Sequence, residues 1–197
     1  MALLTGLLMP FQLFNDVVLR IGRGVAVVAI ALMVLAILIQ VFFRYVLNNA
    51  LPWPDEAARF AMLWMTGLIA PMAYRRGGFV AIDMVVRMLP ERIGALLSLF
   101  LLAVAGVVLA MAVQIGWGEV TGFGGRFATA SLYIPLSLDF SEAFRVPRSW
   151  MMLSFFVGVV LLLIVNIELM LRSIITLLGA GDGLKPLHAP EDEIMAE

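Results

Sequence analysis

The sequence predicts an all-α integral membrane protein with four transmembrane helices. Three observations carry that expectation. The chain has 197 residues, of which 63% are hydrophobic and only 14% charged, and its mean hydropathy is +1.05. A soluble domain is about half apolar and a quarter charged. The apolar residues are gathered in four long runs, each near the roughly 20 residues that a helix needs to cross about 30 Å of hydrocarbon. None of the runs alternates apolar with polar residues as a barrel strand does, and helices satisfy their own backbone groups inside lipid.

The elements follow in order. The opening MALLTGLLMPFQLF is apolar, but its nearest basic residues, Arg20 and Arg23, come after it. That order is the reverse of a secretory signal, so this stretch is read as a membrane-surface lead-in. The first span is expected at 24–46, where Val25 to Phe43 is broken only by Gln40. A Pro-rich turn, NNALPWPDE, leads to the second span at 55–75, where Ala57 to Tyr74 is broken by one charge, Arg59. RRGG then interrupts the chain. The following FVAIDMVVRML carries Asp83 and Arg87 at i,i+4 and is too short to span, which suggests an interfacial helix. The third span is expected at 92–115 and the fourth at 148–172. Their cores, Ile93 to Val113 and Ser149 to Ile167, hold no charge. Between them, Trp117 to Arg148 reads as a long loop rich in Gly and aromatics. Residues 179–197, punctuated by Gly and Pro, are expected to form a disordered cytoplasmic tail. The whole of 1–197 is read as a single membrane domain.

Arginine and lysine set the orientation. With the N-terminus inside, the inner segments hold Arg20, Arg23, Arg75, Arg76, Arg87, Arg92, Arg172 and Lys185, and the outer ones hold Arg44, Arg59, Arg126, Arg145 and Arg148. Four of the inner charges flank one short connection, where the positive-inside bias is most informative. Both termini are therefore expected on the cytoplasmic side.

Catalytic parts are scarce. Cysteine is absent and there is one histidine, His188, in the tail. No metal, nucleotide or nucleophile motif is present, so no catalytic residues, metal site or cofactor are expected. Glu168 stands four residues before Arg172, a spacing that favours a local ion pair. Gln40, Asn166 and Gln114 are uncharged and lie near span ends. Transporters that move polar solutes generally place polar groups and broken helices at the midplane, and these spans have bare centres. They read as scaffold rather than solute path.

The stretch WPDEAARF, residues 53–60, opens the second span. Pro54 suits a first helical turn, Asp55 and Glu56 complement the positive end of the helix dipole, and Trp53 fits a headgroup belt. Arg59 is within reach of Asp55 at i−4 and Glu56 at i−3. A helix cap explains these residues. A charge cluster covered by a partner helix explains them as well, and accounts for a guanidinium one turn inside the span. The outer loop likewise supports two readings, a membrane-surface cover and a docking surface.

RYVLNNALPWPDEAARFAMLW, residues 44–64, then Gly67 and YRRGGFVAID, residues 74–83, together resemble the small, Q-type membrane subunit of tripartite ATP-independent periplasmic (TRAP) transporters. The match falls on Arg44, Tyr45, Asn48, Trp53, Asp55, Glu56, Arg59, Trp64, Gly67, Arg76, Gly78 and Asp83, while Phe79 stands where the family has His. The resemblance implies a scaffold subunit bound to a large membrane subunit that holds the substrate and sodium sites. A periplasmic binding protein would deliver an organic acid, and the membrane would be the inner one of a bacterium or archaeon. On this basis Arg44, Trp53, Asp55, Glu56, Arg59 and Trp64 are expected at the large-subunit interface. Arg126, Asp139, Glu142, Arg145 and Arg148 are expected to dock the binding protein, and Arg75, Arg76, Asp83 and Arg87 form a cytoplasmic-side motif. A membrane anchor for another multi-subunit complex, or a stand-alone oligomeric four-span transporter, are the other classes that fit such a chain.

Overall fold

A computed structural model describes residues 2–77, 90–135, 143–179 and 187. Four long helices dominate: α1 (Ala2–Tyr45), α2 (Trp53–Arg75), α3 (Glu91–Thr121) and α4 (Ser149–Leu177). A 3-10 turn, Phe123–Arg126, and two strands, β1 (Ala128–Pro135) and β2 (Ala143–Pro147), lie between α3 and α4. The expected interfacial helix with Asp83 and Arg87, the loop residues Asp139 and Glu142, and nearly all of the tail lie outside the described residues.

The mostly helical expectation holds, with three differences. First, the lead-in and first span are one helix of 44 residues, roughly 66 Å at 1.5 Å per residue. Second, three of the described helices are long and apolar enough to cross a membrane, Gly6–Tyr45, Ile93–Thr121 and Ser149–Leu177. α2, with 23 residues, is not among them, because Arg59, Thr66, Gly67 and Pro71 thin its apolar run. Third, the described residues of the loop expected over Trp117–Arg148 carry regular structure: α3 continues to Thr121, and β1 and β2 pair antiparallel. Its Thr, Tyr, Ile, Phe and Val suit strands, but the register needed a partner that no local pattern reveals.

Helix ends follow from local chemistry. Pro54 is fully buried in the first turn of α2, where no backbone donor is lost. Gly77 closes α2 at φ 77° and Gly179 closes α4 at φ 79°, the left-handed stop that glycine adopts without a Cβ penalty. Along α1 the buried positions Asn15, Leu19, Gly22, Ala26, Ala29, Ala36 and Gln40 alternate in steps of three and four, with a half-buried Met33 completing the row. Much of the remaining described surface of the helix is exposed and apolar, as at Leu13, Val27, Val28, Leu32, Leu35 and Leu38. Hydroxyls return to carbonyls one turn back, as Thr66 does to Met62 (2.9 Å) and Thr121 to Trp117 (2.7 Å), which satisfies them without a polar neighbour.

The chain groups into two compact units. The first comprises Met1–Leu19, Ala70–Ala110 and Leu161–Glu197, and the second Arg20–Ile69 and Met111–Val160. In the first, Leu8, Val165 and Ile175 are buried alongside Asn15, Asn166 and Glu168. In the second, Gly67 of α2 meets Ser154 and Gly158 of α4 backbone to backbone, and Ala26, Ala29 and Val159 are buried.

Candidate functional site

Two polar centres stand out in a chain this apolar. The first unit holds a buried ion cluster centred on Glu168, whose side chain is 0% exposed. Arg75 grips it from α2 with two bonds, Nε to Oε2 at 2.9 Å and Nη2 to Oε1 at 2.8 Å. Arg172, one turn along α4, donates Nε to Oε1 at 3.2 Å. From α1, Asn15 Nδ2 donates to Oε2 at 2.6 Å, and Asp16 accepts from Arg75 Nη1. Two arginines face two carboxylates, so the formal charges cancel. A planar guanidinium holding a carboxylate by two bonds is the geometry that best offsets desolvation.

A second layer joins α3. Asn166, also fully buried, accepts from the Tyr74 hydroxyl at 2.6 Å and donates Nδ2 to the Leu102 carbonyl at 3.1 Å. That approach requires Gly106, because a Cβ there would stand 2.9 Å from Asn166 Nδ2. All four described helices therefore contribute polar groups to this unit, in two hydrogen-bonded sets, one on Glu168 and one on Asn166. The Glu168–Arg172 pair was legible at i,i+4, and Arg75 belonged to the expected cytoplasmic-side motif. Asn15 and Asp16 were missed. The signal that could have found them is two polar residues together in an otherwise oily lead-in.

The second unit holds the other centre, built on Glu56. Its carboxylate accepts from Ala130 N at 3.0 Å and Ser131 N at 2.5 Å, and the Ser131 hydroxyl lies 2.6 Å from Oε2 and 2.8 Å from the Pro52 carbonyl oxygen. These donors are free because the strand register slips. Ala128 faces Pro147 but Tyr133 faces Arg145, leaving a wide bulge on β1. Thr129 Oγ1 ties the bulge to Val146 O at 2.7 Å. Arg145 donates to Ala130 O at 2.9 Å and lies 5.1 Å from the centre of the Tyr133 ring.

This placement corrects the expected pairing of Arg59. Glu56 serves the hairpin, Asp55 accepts from Gln40 at 3.3 Å, and Arg59 is exposed with no ion pair among the described residues. Fixed backbone donors that need an acceptor outcompete one long, flexible guanidinium. Of the other expected interface residues, Arg44 is exposed near the Tyr45 ring, Trp53 is 39% exposed, and Trp64 is half-buried with its indole N–H unpartnered. Arg126 and Arg148 are exposed and Arg76 is half-buried. Among the described residues no His, Cys, Asp or Glu cluster could hold a metal ion.

Among the described residues the arrangement is a set of internal ties. The family model described as tripartite ATP-independent periplasmic transporters, DctQ component, matches residues 33–176. The chain belongs to this family. DctQ is a transporter component family and not an enzyme family. No curated protein and no solved structure gives a significant match. The DctQ match takes in the Glu56 centre and most of the Glu168 cluster, while Asn15 and Asp16 precede it.

The hairpin anchor gives a direct test. Glu56→Ala removes three charge-assisted or backbone bonds, each worth about 1.5–3 kcal/mol when one partner is charged. Limited proteolysis within residues 128–147 is expected to speed up while helical circular dichroism stays unchanged. Arg59→Ala is expected to leave that protection intact. Equal proteolysis of wild type and Glu56→Ala would show that the anchor does not hold the hairpin.

Proposed function

We propose that the chain is the scaffold subunit of a TRAP transporter, standing in the cytoplasmic membrane of a bacterium or archaeon with both termini inside. It braces a large membrane subunit that moves an organic acid with sodium, and its outer face receives the periplasmic binding protein that delivers the acid. Family membership supports the transporter assignment. The observation that carries the scaffold role is the closed Glu168 cluster: the buried charges of the described helices satisfy one another, which favours bracing over conduction. α2 is the fourth span in this reading, since its 23 residues reach roughly 34 Å.

Arg59 is the leading contact to the large subunit. A guanidinium one turn inside a span is costly, up to about 2.5–3.5 kcal/mol at mid-membrane and less near the edge, and an acceptor on a partner helix would offset that. Arg44, Trp53 and Trp64 share its unit, and Asp55 and Glu56 shape the helix end beside it. Arg126 and Arg148, with Asp139 and Glu142, are offered for docking. Arg145 contributes there chiefly by holding the hairpin. Exposed charges of this kind set encounter rates more than affinity.

The test is reconstitution. Liposomes holding this chain alone are expected to take up no organic acid under a sodium gradient, and liposomes that also hold the large subunit, supplied with binding protein, are expected to do so. Uptake by the chain alone would sink the scaffold reading. In intact cells a thiol at Lys185→Cys is expected to escape impermeant reagents, and its labelling from outside would reverse the orientation.

A further inference from the structure

The turn between α3 and β1 serves neither polar centre. Phe123 and Phe127 bracket it, 77% and 54% exposed, with their rings edge to face and centroids 5.2 Å apart. Two phenylalanines that cover each other and little else expose apolar surface that water disfavours. Their position is tightly held. A Cβ at Gly122 would collide with the Gly118 carbonyl oxygen, and one at Gly125 would stand 2.6 Å from that of Val120 and 3.3 Å from Ser149 Cβ. Gly125 N donates to Gly122 O at 3.2 Å, and Arg148 N donates to Phe127 O at 2.8 Å. The turn is thus folded back on the last turn of α3 and pinned to the start of α4.

Both helices are long and apolar enough to cross a membrane. Large apolar side chains are also exposed near these ends, Ile115 and Trp117 on α3 and Trp150 on α4. Trp117 and Phe123 are six residues apart in sequence, at most about 9 Å along a helix axis. The interfacial layer on each side of the hydrocarbon is roughly 5–8 Å deep. A pair held by a folded-back turn close to the ends of two candidate spans is within reach of that layer.

The geometry points to a lipid-seated wedge: Phe123 and Phe127 place their paired rings in the headgroup layer of the bilayer and thereby set the height of the β1–β2 hairpin at the membrane surface. The occupant of this surface is phospholipid. The inference rests on α3 and α4 crossing the membrane and not on the transport reading.

The chain has no cysteine, so single thiols report cleanly. Phe123→Cys, Phe127→Cys and, as a reference in α3, Ile115→Cys are labelled with a small fluorophore in the full chain and reconstituted in phosphatidylcholine–phosphatidylglycerol liposomes. Lipids spin-labelled near the headgroup are expected to quench the labels at 123 and 127 about twofold more than lipids labelled near the chain end, as for groups seated at the headgroup–acyl boundary. The label at 115 is expected to respond more to the deeper quencher, and aqueous iodide is expected to quench all three less than it quenches free fluorophore. Full iodide access at 123 and 127 would overturn the wedge. So would protection of these positions that appears only with the large subunit or binding protein, without lipid quenching. Absence of lipid quenching at 115 would remove the span on which the inference stands, and the inference with it.

Discussion

Arg75→Ala is expected to be the most damaging single charge removal in the chain. Arg75 supplies two of the bonds to a carboxylate with 0% side-chain exposure and the link to Asp16. Without it, among the described residues Glu168 keeps Arg172 at 3.2 Å and Asn15. Removing one partner of a buried pair costs about 3–5 kcal/mol, because the other is left charged and dry. Arg75→Lys is expected to be poor as well, since an ammonium cannot match two carboxylate oxygens at once. Replacing both Arg75 and Glu168 by methionine removes the charges together and is expected to cost less than the sum of the single changes. Thermal unfolding in detergent or nanodiscs measures each arm of this cycle. Single variants within about 1 kcal/mol of wild type, or a double change equal to the sum, would show that the cluster is loosely coupled.

The second large effect is expected where α2 and α4 cross. A Cβ at Gly67 would lie 2.5 Å from the Ser154 carbonyl oxygen, and one at Gly158 would lie 2.8 Å from the Gly67 carbonyl oxygen and 2.9 Å from its Cα. The obstacle is backbone in both cases, so no rotamer change relieves it. Gly67→Ala and Gly158→Ala are each expected to cost at least the roughly 1–3 kcal/mol of an overpacked core, with Gly158→Leu worse. Gly24 is the control. A Cβ there meets nothing within 4 Å, and Gly24→Ala is expected to be neutral or to stabilise by about 0.5–1 kcal/mol through helix propensity. Unfolding midpoints of the variants decide the matter. If Gly67→Ala and Gly24→Ala behave alike, the close crossing does not hold these helices. Small residues four apart, such as Ser154 and Gly158, are the usual means by which helices approach in lipid, where no hydrophobic effect drives them together.

The sequence by itself determined that the chain is mostly helical, marked the three segments that are apolar enough for a membrane along with α2, which is not, and showed how α2 begins and ends. It also showed the Glu168–Arg172 contact and the family. Each of these is a local property. A bilayer demands a minimum apolar length, Pro54 and Gly77 act within one turn, and i,i+4 neighbours meet on any helix. The partners of the buried charges were decided only by tertiary structure. Asn15 and Glu168 are 153 positions apart, Arg75 and Glu168 are 93 apart, and Ser131 and Glu56 are 75 apart. Read locally, Glu56 had Arg59 within reach. The hairpin bulge presented fixed backbone donors instead, and those donors exist only once β1 has slipped against β2. The need for glycine at 67 and 158 arises in the same way, since what a Cβ would strike is the backbone of another helix, which no pattern along one chain segment encodes.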